Sequence, residues 1–475
     1  MTSKFLRVFK PFTHVTFEVK KPDRTVSFKE KAIWTIVCLI IYFIMISVPL
    51  WGITIQEGST DPFFAMRAIL ASQRGTLGEL GIGPIVTAGL IMQLLVGSQI
   101  IKVDFNNPEE RALYTGAQKV LSVLMILFEA AAYIFGGAYG EGIDLVTGTL
   151  IFLQLLAAGI VIMLMDELIQ KGYGLGSGIS LFIAAGVSFN IINGLFSFSE
   201  GVGGTAVAGR YYGAIIAFFY GLTQGEKFVD VIYRLDNPDI IAFLATIVVF
   251  AIVIYVESMR IEIPISHAKY KIPARYPIKF LYTSNIPVIL ASALFANVYF
   301  ISQILAKRIP GNPLVDLLGK WDFQGSQPMP TGGLAYFTTA PRGIEQVISG
   351  PVRSIIYLGL LIATCMVFSA IWLETAGMGP RDVAKQLLEA DMQIPGFRRN
   401  PKVLEKYLER YIPIAALLGG LFVGVLAGFA DFLGALGTGT GILLTTGIIK
   451  QYSEIIAKER LAEISPAVKG FLGME

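Results

Sequence analysis

Ten stretches of the sequence are apolar for close to twenty residues each: roughly 32–51, 83–101, 112–137, 146–169, 176–198, 240–259, 280–305, 351–373, 411–430 and 434–456. A helix of about 20 residues rises about 30 Å, the thickness of the hydrocarbon layer of a bilayer. The runs do not alternate apolar with polar, as the strands of about ten residues in a membrane barrel would. Only 15% of the 475 residues are charged and 54% are hydrophobic, against about a quarter charged in a soluble domain. Such a chain cannot clothe itself in polar surface and needs lipid as its solvent. The expectation is an all-α membrane protein with about ten transmembrane helices.

Lys and Arg orient the spans. The first 31 residues are basic; Arg260–Lys279, Pro380–Tyr411 and the tail after Ile449 are basic too. An even count of spans puts all four on the cytosolic side. No cleavable signal peptide is expected at the start, and Lys4–Phe17 reads equally as a surface-lying helix or a basic tail. Cys38 and Cys365 both lie inside apolar runs, and His14 and His267 both lie outside them. This pattern suggests neither a disulfide framework nor a metal site. The short apolar run 210–222 reads as an amphipathic or re-entrant piece.

Two features break the regular pattern. Pro62–Ser72 is too short to cross as a helix, and Gly75, Gly78, Gly81, Gly83 and Pro84 follow it. This predicts a broken helix, and irregular backbone at membrane depth survives only inside protein or beside a wet cavity. Residues 61–83 are therefore expected to line or fill a pathway; an ordinary outer loop is the alternative. Second, Gly174-Leu175-Gly176-Ser177-Gly178-Ile179 recurs as Gly437-Thr438-Gly439-Thr440-Gly441-Ile442. The copies open the fifth and tenth spans, so two halves of five spans each must run in opposite directions, as in inverted repeats.

Glu129 is the clearest intramembrane charge; Asp166, Glu167, Glu257, Glu374 and Asp431 read as span-end residues within reach of water. No proton relay, charged selectivity ring or catalytic constellation is visible. Ile82 and Val86 share one helical face, as do Ile179 and Ile183. Branched aliphatics meeting across a funnel would form a dry collar that stops ions by dewetting. Core packing explains the same spacing.

These segments resemble the SecY family, the channel subunit of the Sec protein-conducting translocon. The resemblance rests on Leu70-Ala71-Ser72-Gln73-Arg74-Gly75-Thr76-Leu77, Leu80-Gly81-Ile82-Gly83-Pro84-Ile85-Val86-Thr87, Asp166-Glu167-Leu168 with Lys171-Gly172-Tyr173-Gly174, Tyr276-Pro277-Ile278-Lys279, Ser284-Asn285-Ile286-Pro287 and Phe432-Leu433-Gly434-Ala435. It implies a non-enzymatic, cofactor-free channel for unfolded polypeptides, with two five-helix inverted repeats around a central hourglass pore and a side exit into lipid. The implied pore ring is Ile82, Val86, Ile179, Ile183, Ile289 and Leu444. The implied plug, at about 61–75, includes Asp61, Phe64, Met66, Ile69, Leu70 and Arg74. Thr87, Gln118 and Asn285 match a polar cluster at a lateral gate between spans 2–3 and 7–8.

Lys269, Lys271, Arg275, Arg398 and Arg399 match ribosome-docking loops, where basic side chains suit ribosomal RNA phosphates; positive-inside topology explains their presence as well. Implied partners are small single-span Sec subunits (SecE/gamma type and beta type), the ribosome, signal sequences of nascent chains, and the lipid bilayer. The wording of the motifs is closer to archaeal and eukaryotic members, which implies an archaeal plasma membrane, with the endoplasmic reticulum membrane as the alternative. The expected organisation is a cytosolic N-terminus (1–31), a first half (32–198), an outer linker (199–239), a second half (240–456) and a cytosolic tail (457–475). A secondary transporter of a small solute is the alternative that inverted repeats permit.

Overall fold

Short polar side chains set where several spans begin. The side chains of Ser27, Asp144 and Asp239 accept hydrogen bonds from the first turns of the helices that follow them. Each satisfies a backbone donor that has no partner within its helix. Proline stands in the first turn of four others, where its missing N–H costs nothing.

The computed structural model describes residues 18–53, 70–98, 107–135, 144–198, 211–234, 238–267, 273–323, 329–341, 343–393 and 401–464, with Pro11, Arg67, Ile100, Ile101, Val103, Phe105 and Tyr139. Among the described residues, eight helices are long and apolar enough to cross a membrane: Phe28–Ser47, Pro108–Phe135, Leu145–Leu168, Gly178–Phe196, Ile240–Ser258, Ile286–Arg308, Pro351–Thr375 and Ile412–Phe432. Two further helices, Gly83–Gly97 and Gly439–Ile464, fall where the second and tenth spans are expected, an order consistent with ten spans. The second span has only 15 residues, about 22 Å of helix. Irregular backbone packed within the protein precedes it, which is the break expected from the glycines.

The tenth helix runs past 456, the expected end of the second half, to Ile464. Lys31 Nζ, at the start of the first span, meets Glu459 Oε1 at 2.5 Å. The expected tail thus begins as part of the helical body.

Lipid gives no hydrophobic reward for bringing helices together, so close packing must hold them. Gly420, Gly424 and Gly428 bring the ninth span onto Cys365, Ile362 and Leu358 of the eighth. The largest apolar cluster draws on spans one, two, four to eight, nine and ten. Its counterpart outside is lipid-facing: Ile33, Ile36, Ile40 and Ile44 of the first span are exposed.

Two regions between spans carry strands. After the sixth span, β1 (Arg260–His267) and β2 (Pro273–Lys279) form an antiparallel hairpin, with Arg260 opposite Lys279 and Pro264 opposite Arg275. Between spans seven and eight, β3 (Lys320–Asp322) pairs with β4 (Met329–Gly332) among short helices. A further short strand, β5 (Met392–Gln393), adds to β1. The run 210–222 contributes a helix, Ala214–Thr223, that buries Ala214, Ala217 and Gly221 while exposing Phe219.

Candidate functional site

The break before the second span is stitched to the first. Leu50 N donates to Gly75 O at 2.8 Å, Leu77 N to Val48 O at 3.0 Å and Gly78 N to Met45 O at 2.9 Å. The chain then folds back on itself, so that Ile82 N donates to Leu70 O at 2.8 Å and Tyr42 Oη to Ala71 O at 3.1 Å. Gly81 makes this possible. Its φ is +53°, and a Cβ there would lie 2.1 Å from Leu70 O, so only glycine fits.

Beneath this turn Arg67 Nη2 meets Glu79 Oε1 at 2.6 Å, with the side chains 7% and 1% exposed. The other Glu79 oxygen accepts from Gly75 N. An ion pair this dry is worth little net, but breaking it strands a charge. The sequence reading overlooked both residues; the signal was an acidic and a basic residue flanking a glycine-rich break. Of the implied plug residues, Leu70 and Arg74 are placed, both half-buried; Asp61, Phe64, Met66 and Ile69 lie outside the described residues.

The six implied ring residues meet in one apolar cluster. Ile82, Val86, Ile183 and Leu444 are buried in it, and Ile179 and Ile289 are packed against it. Spans two, five, seven and ten each contribute. Ala71, at the end of the folded-back segment, belongs to the same cluster.

One residue beyond Val86 the chemistry changes. Asn297 Nδ2, on the seventh span, donates to Thr87 Oγ1 at 3.1 Å and to Ala293 O at 2.8 Å. Glu129, on the third span, hydrogen-bonds Thr87. A cavity of about 30 Å³ lies among them and is also lined by Arg67, Leu70 and Ser72. Polar groups reach into it among apolar walls, and it is large enough for one water. Spans two, three and seven thus share a buried polar cluster that touches the folded-back segment.

Of the three expected gate residues, Thr87 lies in this cluster, while Asn285 Nδ2 donates to Leu443 O of the tenth span at 3.2 Å. Gln118 packs against Gly89, further along the second span. The cluster's other members are Asn297 and Glu129. Span seven carries two asparagines, and only helix rotation and depth decide which one faces the second span.

The two glycine repeats are built alike. Asp166, at the end of the fourth span, accepts from Ile179 N at 2.9 Å and from Gln170 Nε2 at 2.8 Å. Asp431, at the end of the ninth, accepts from Gly439 N at 2.7 Å and from Tyr357 Oη at 3.0 Å. Each carboxylate caps the helix that its repeat opens. Both side chains are buried, and Asp431 also lines a cavity of about 330 Å³.

The basic segments form one packed unit. Ile263, Ile265 and Ile278 of the hairpin pack with Val383 and Leu387 of the helix Pro380–Glu389 and with Leu404 and Leu408 of the helix Pro401–Leu408. Arg275 is exposed at the surface, where its Nη1 donates to Glu262 Oε2 at 2.7 Å. That guanidinium holds the Glu262 carboxyl below the usual carboxylate range. Lys269, Lys271, Arg398 and Arg399 lie outside the described residues.

Comparisons with known proteins agree with this geometry. Residues 76–453 match the SecY family and residues 40–75 match the plug domain of Sec61p. A solved protein-conducting channel superposes with a TM-score of 0.82 at 39% identity, covering 97% of this chain and 99% of that one. Sec61 from the canine ribosome–channel complex of the endoplasmic reticulum gives 0.79 at 38% identity, over 97% and 99%. The idle yeast Ssh1 complex bound to the yeast 80S ribosome gives 0.77 at 26% identity, over 95% and 94%. With eight helices among the described residues long and apolar enough to cross a membrane, a folded-back segment before the second span and a family match across most of its length, the chain belongs to the SecY family of protein-conducting channels.

Proposed function

We propose that this protein passes unfolded polypeptides across a membrane through the collar and releases apolar segments sideways between spans 2–3 and 7–8. The observation that carries the reading is the convergence of Ile82, Val86, Ile183 and Leu444 with Ala71 of the folded-back segment. A ring of aliphatic side chains excludes ions by dewetting and yet offers no directional bonds, so it can yield around any side chain of a passing polypeptide. The segment 61–75 serves as the plug.

Beside the collar, the Thr87–Asn297–Glu129 cluster forms the seam of the side exit. An apolar helix separates its members when it partitions into lipid. Leu, Ile, Phe and Val each favour insertion by about 0.3–0.6 kcal/mol at the bilayer centre, so segment length and composition decide which chains leave sideways.

The packed hairpin and the two short helices present Arg275, and with Lys269, Lys271, Arg398 and Arg399 they would dock a ribosome by phosphate contacts. Small single-span Sec subunits and signal sequences complete the list of partners. An archaeal plasma membrane is the compartment the motif wording favours, with the endoplasmic reticulum membrane as the other.

Site-specific photocrosslinking from position 183 to a stalled, ribosome-bound secretory chain tests the reading. A crosslink that depends on the signal sequence is expected. Its absence, with crosslinks intact at a control position, would sink the collar as a polypeptide path.

A further inference from the structure

The turn that opens the seventh span is tied down three times. Tyr282 Oη donates to Met378 O at 3.1 Å, and Thr283 Oγ1 and Ser369 Oγ share a hydrogen bond of 2.9 Å. The third tie is the Asn285 bond to Leu443 O. Between them Ser284 holds a φ of +53°, which a non-glycine residue keeps only when its surroundings impose it.

The first two ties reach the eighth span and its end. The third reaches the tenth, at the residue preceding Leu444. On its own helix Asn285 lies one turn before Ile289 and on the same face. This single side chain thus joins the two collar residues that spans seven and ten supply.

The tenth span is notched to receive it. Gly447 lies one turn beyond Leu443, and a Cβ there would fall 1.8 Å from Asn285 Nδ2 and 2.5 Å from Glu257 Oε1. Any larger residue would push the amide out of its place. Asn285 is 7% exposed, so water cannot readily replace the bond if it is lost.

We propose that Asn285 is a positioning residue for the collar: seated in the Gly447 notch and bonded to Leu443 O, it fixes Ile289 and Leu444 relative to each other. The inference rests on the reading of those two residues as part of the collar. Without the bond the first turn of span seven can rotate, Ile289 leaves its place, and the closed collar loosens. A loose collar leaks ions at rest and opens for signals too weak to open the native channel.

The test uses the full chain with its partner subunits in sealed vesicles. Resting ion flux is measured together with the ratio of weak-signal to full-signal translocation. Asn285→Ala is expected to raise the resting flux by about 5- to 100-fold, the range for one unsatisfied buried hydrogen bond, and to raise the ratio with it. Gly447→Ala should do the same from the other side of the notch. The double variant should leak no more than Asn285→Ala alone, because both act through one contact.

Additive leaks would overturn the shared contact. Leu444→Asn serves as the collar control. If it leaks while Asn285→Ala stays tight, the positioning role is wrong and the collar stands. If neither leaks, the collar reading fails and the proposal fails with it. Loss of full-signal translocation in both notch variants would also overturn it, since Asn285 would then be needed for folding rather than for the seal.

Discussion

Val86 and Thr87 are neighbours on one helix and serve two regions of opposite chemistry. Val86 lies in the apolar cluster with Ile183 and Leu444; Thr87 bonds Asn297 and Glu129. Successive residues of a helix point about 100° apart, so a short helix can line a pore with one face and a seam with the next. Aliphatic side chains make no directional contacts, so a collar built from them would show no preference among passing side chains. The seam is built from hydrogen bonds, each with a definite cost of separation, so it can set a threshold. The folded-back segment reaches toward both: Ala71 belongs to the apolar cluster, and Arg67, Leu70 and Ser72 line the cavity beside Thr87.

The strongest way to break the comparison is through the ion pair under that segment. Arg67→Ala leaves Glu79, 1% exposed, without its cation, at a cost of about 3–5 kcal/mol. The expected result is a channel that conducts ions at rest and in which a cysteine introduced by Ser72→Cys becomes open to thiol labelling. A tight channel with unchanged labelling would detach the pair from the seal.

A smaller effect should sharpen the difference on the seam. Asn297→Leu leaves Thr87 with one donor fewer, weakening the closed seam by about 1 kcal/mol. Less apolar segments should then exit into lipid, lowering the threshold by about two or three leucine equivalents. Adding Thr87→Val should weaken the seam further, because the buried Glu129 then loses the hydroxyl that bonds it. Insertion assays with a graded Leu/Ala series decide it. If the single variant leaves the threshold where it was, the seam is not set by these bonds.

The smallest effect is expected where both regions are far away. Arg275 and Glu262 pair on the exposed hairpin, and the pair lowers the pKa of Glu262. A carboxyl whose folded value is depressed stabilises at neutral pH and loses that contribution as pH falls through the folded value. The hairpin should therefore loosen slightly only below the ordinary carboxylate range, and Glu262→Gln should reproduce this at neutral pH. Hydrogen exchange along Arg260–Lys279 reads it, with the channel's conductance unmoved. A change in conductance would mean that the hairpin communicates with the collar.

Much of this molecule was legible in its sequence because lipid imposes a length. Span ends such as those of Ile240–Ser258 and Pro351–Thr375 fall within two residues of the apolar runs that predict them. The helix break at Gly75–Pro84 and the glycine pattern repeated at 174 and 437 are local too, since glycine and proline act on their own backbone. Facing residues within one helix, such as Ile82 with Val86, follow from its period. The assignment of the collar drew on resemblance, because periodicity by itself describes core packing equally well.

What joins separate spans was not legible. Asn285 and Asn297 are alike in type and lie on the same helix, yet one reaches Leu443 and the other Thr87. Asp166 and Asp431 looked like wetted span ends and are buried caps, each tied to a helix later in the chain. Arg67 and Glu79 found each other only because the backbone folds back at Gly81. Composition and periodicity set what each helix is; the rotation and depth of one helix against another set which polar group meets which. Those are decided by packing among all ten spans at once, and so by the tertiary structure alone.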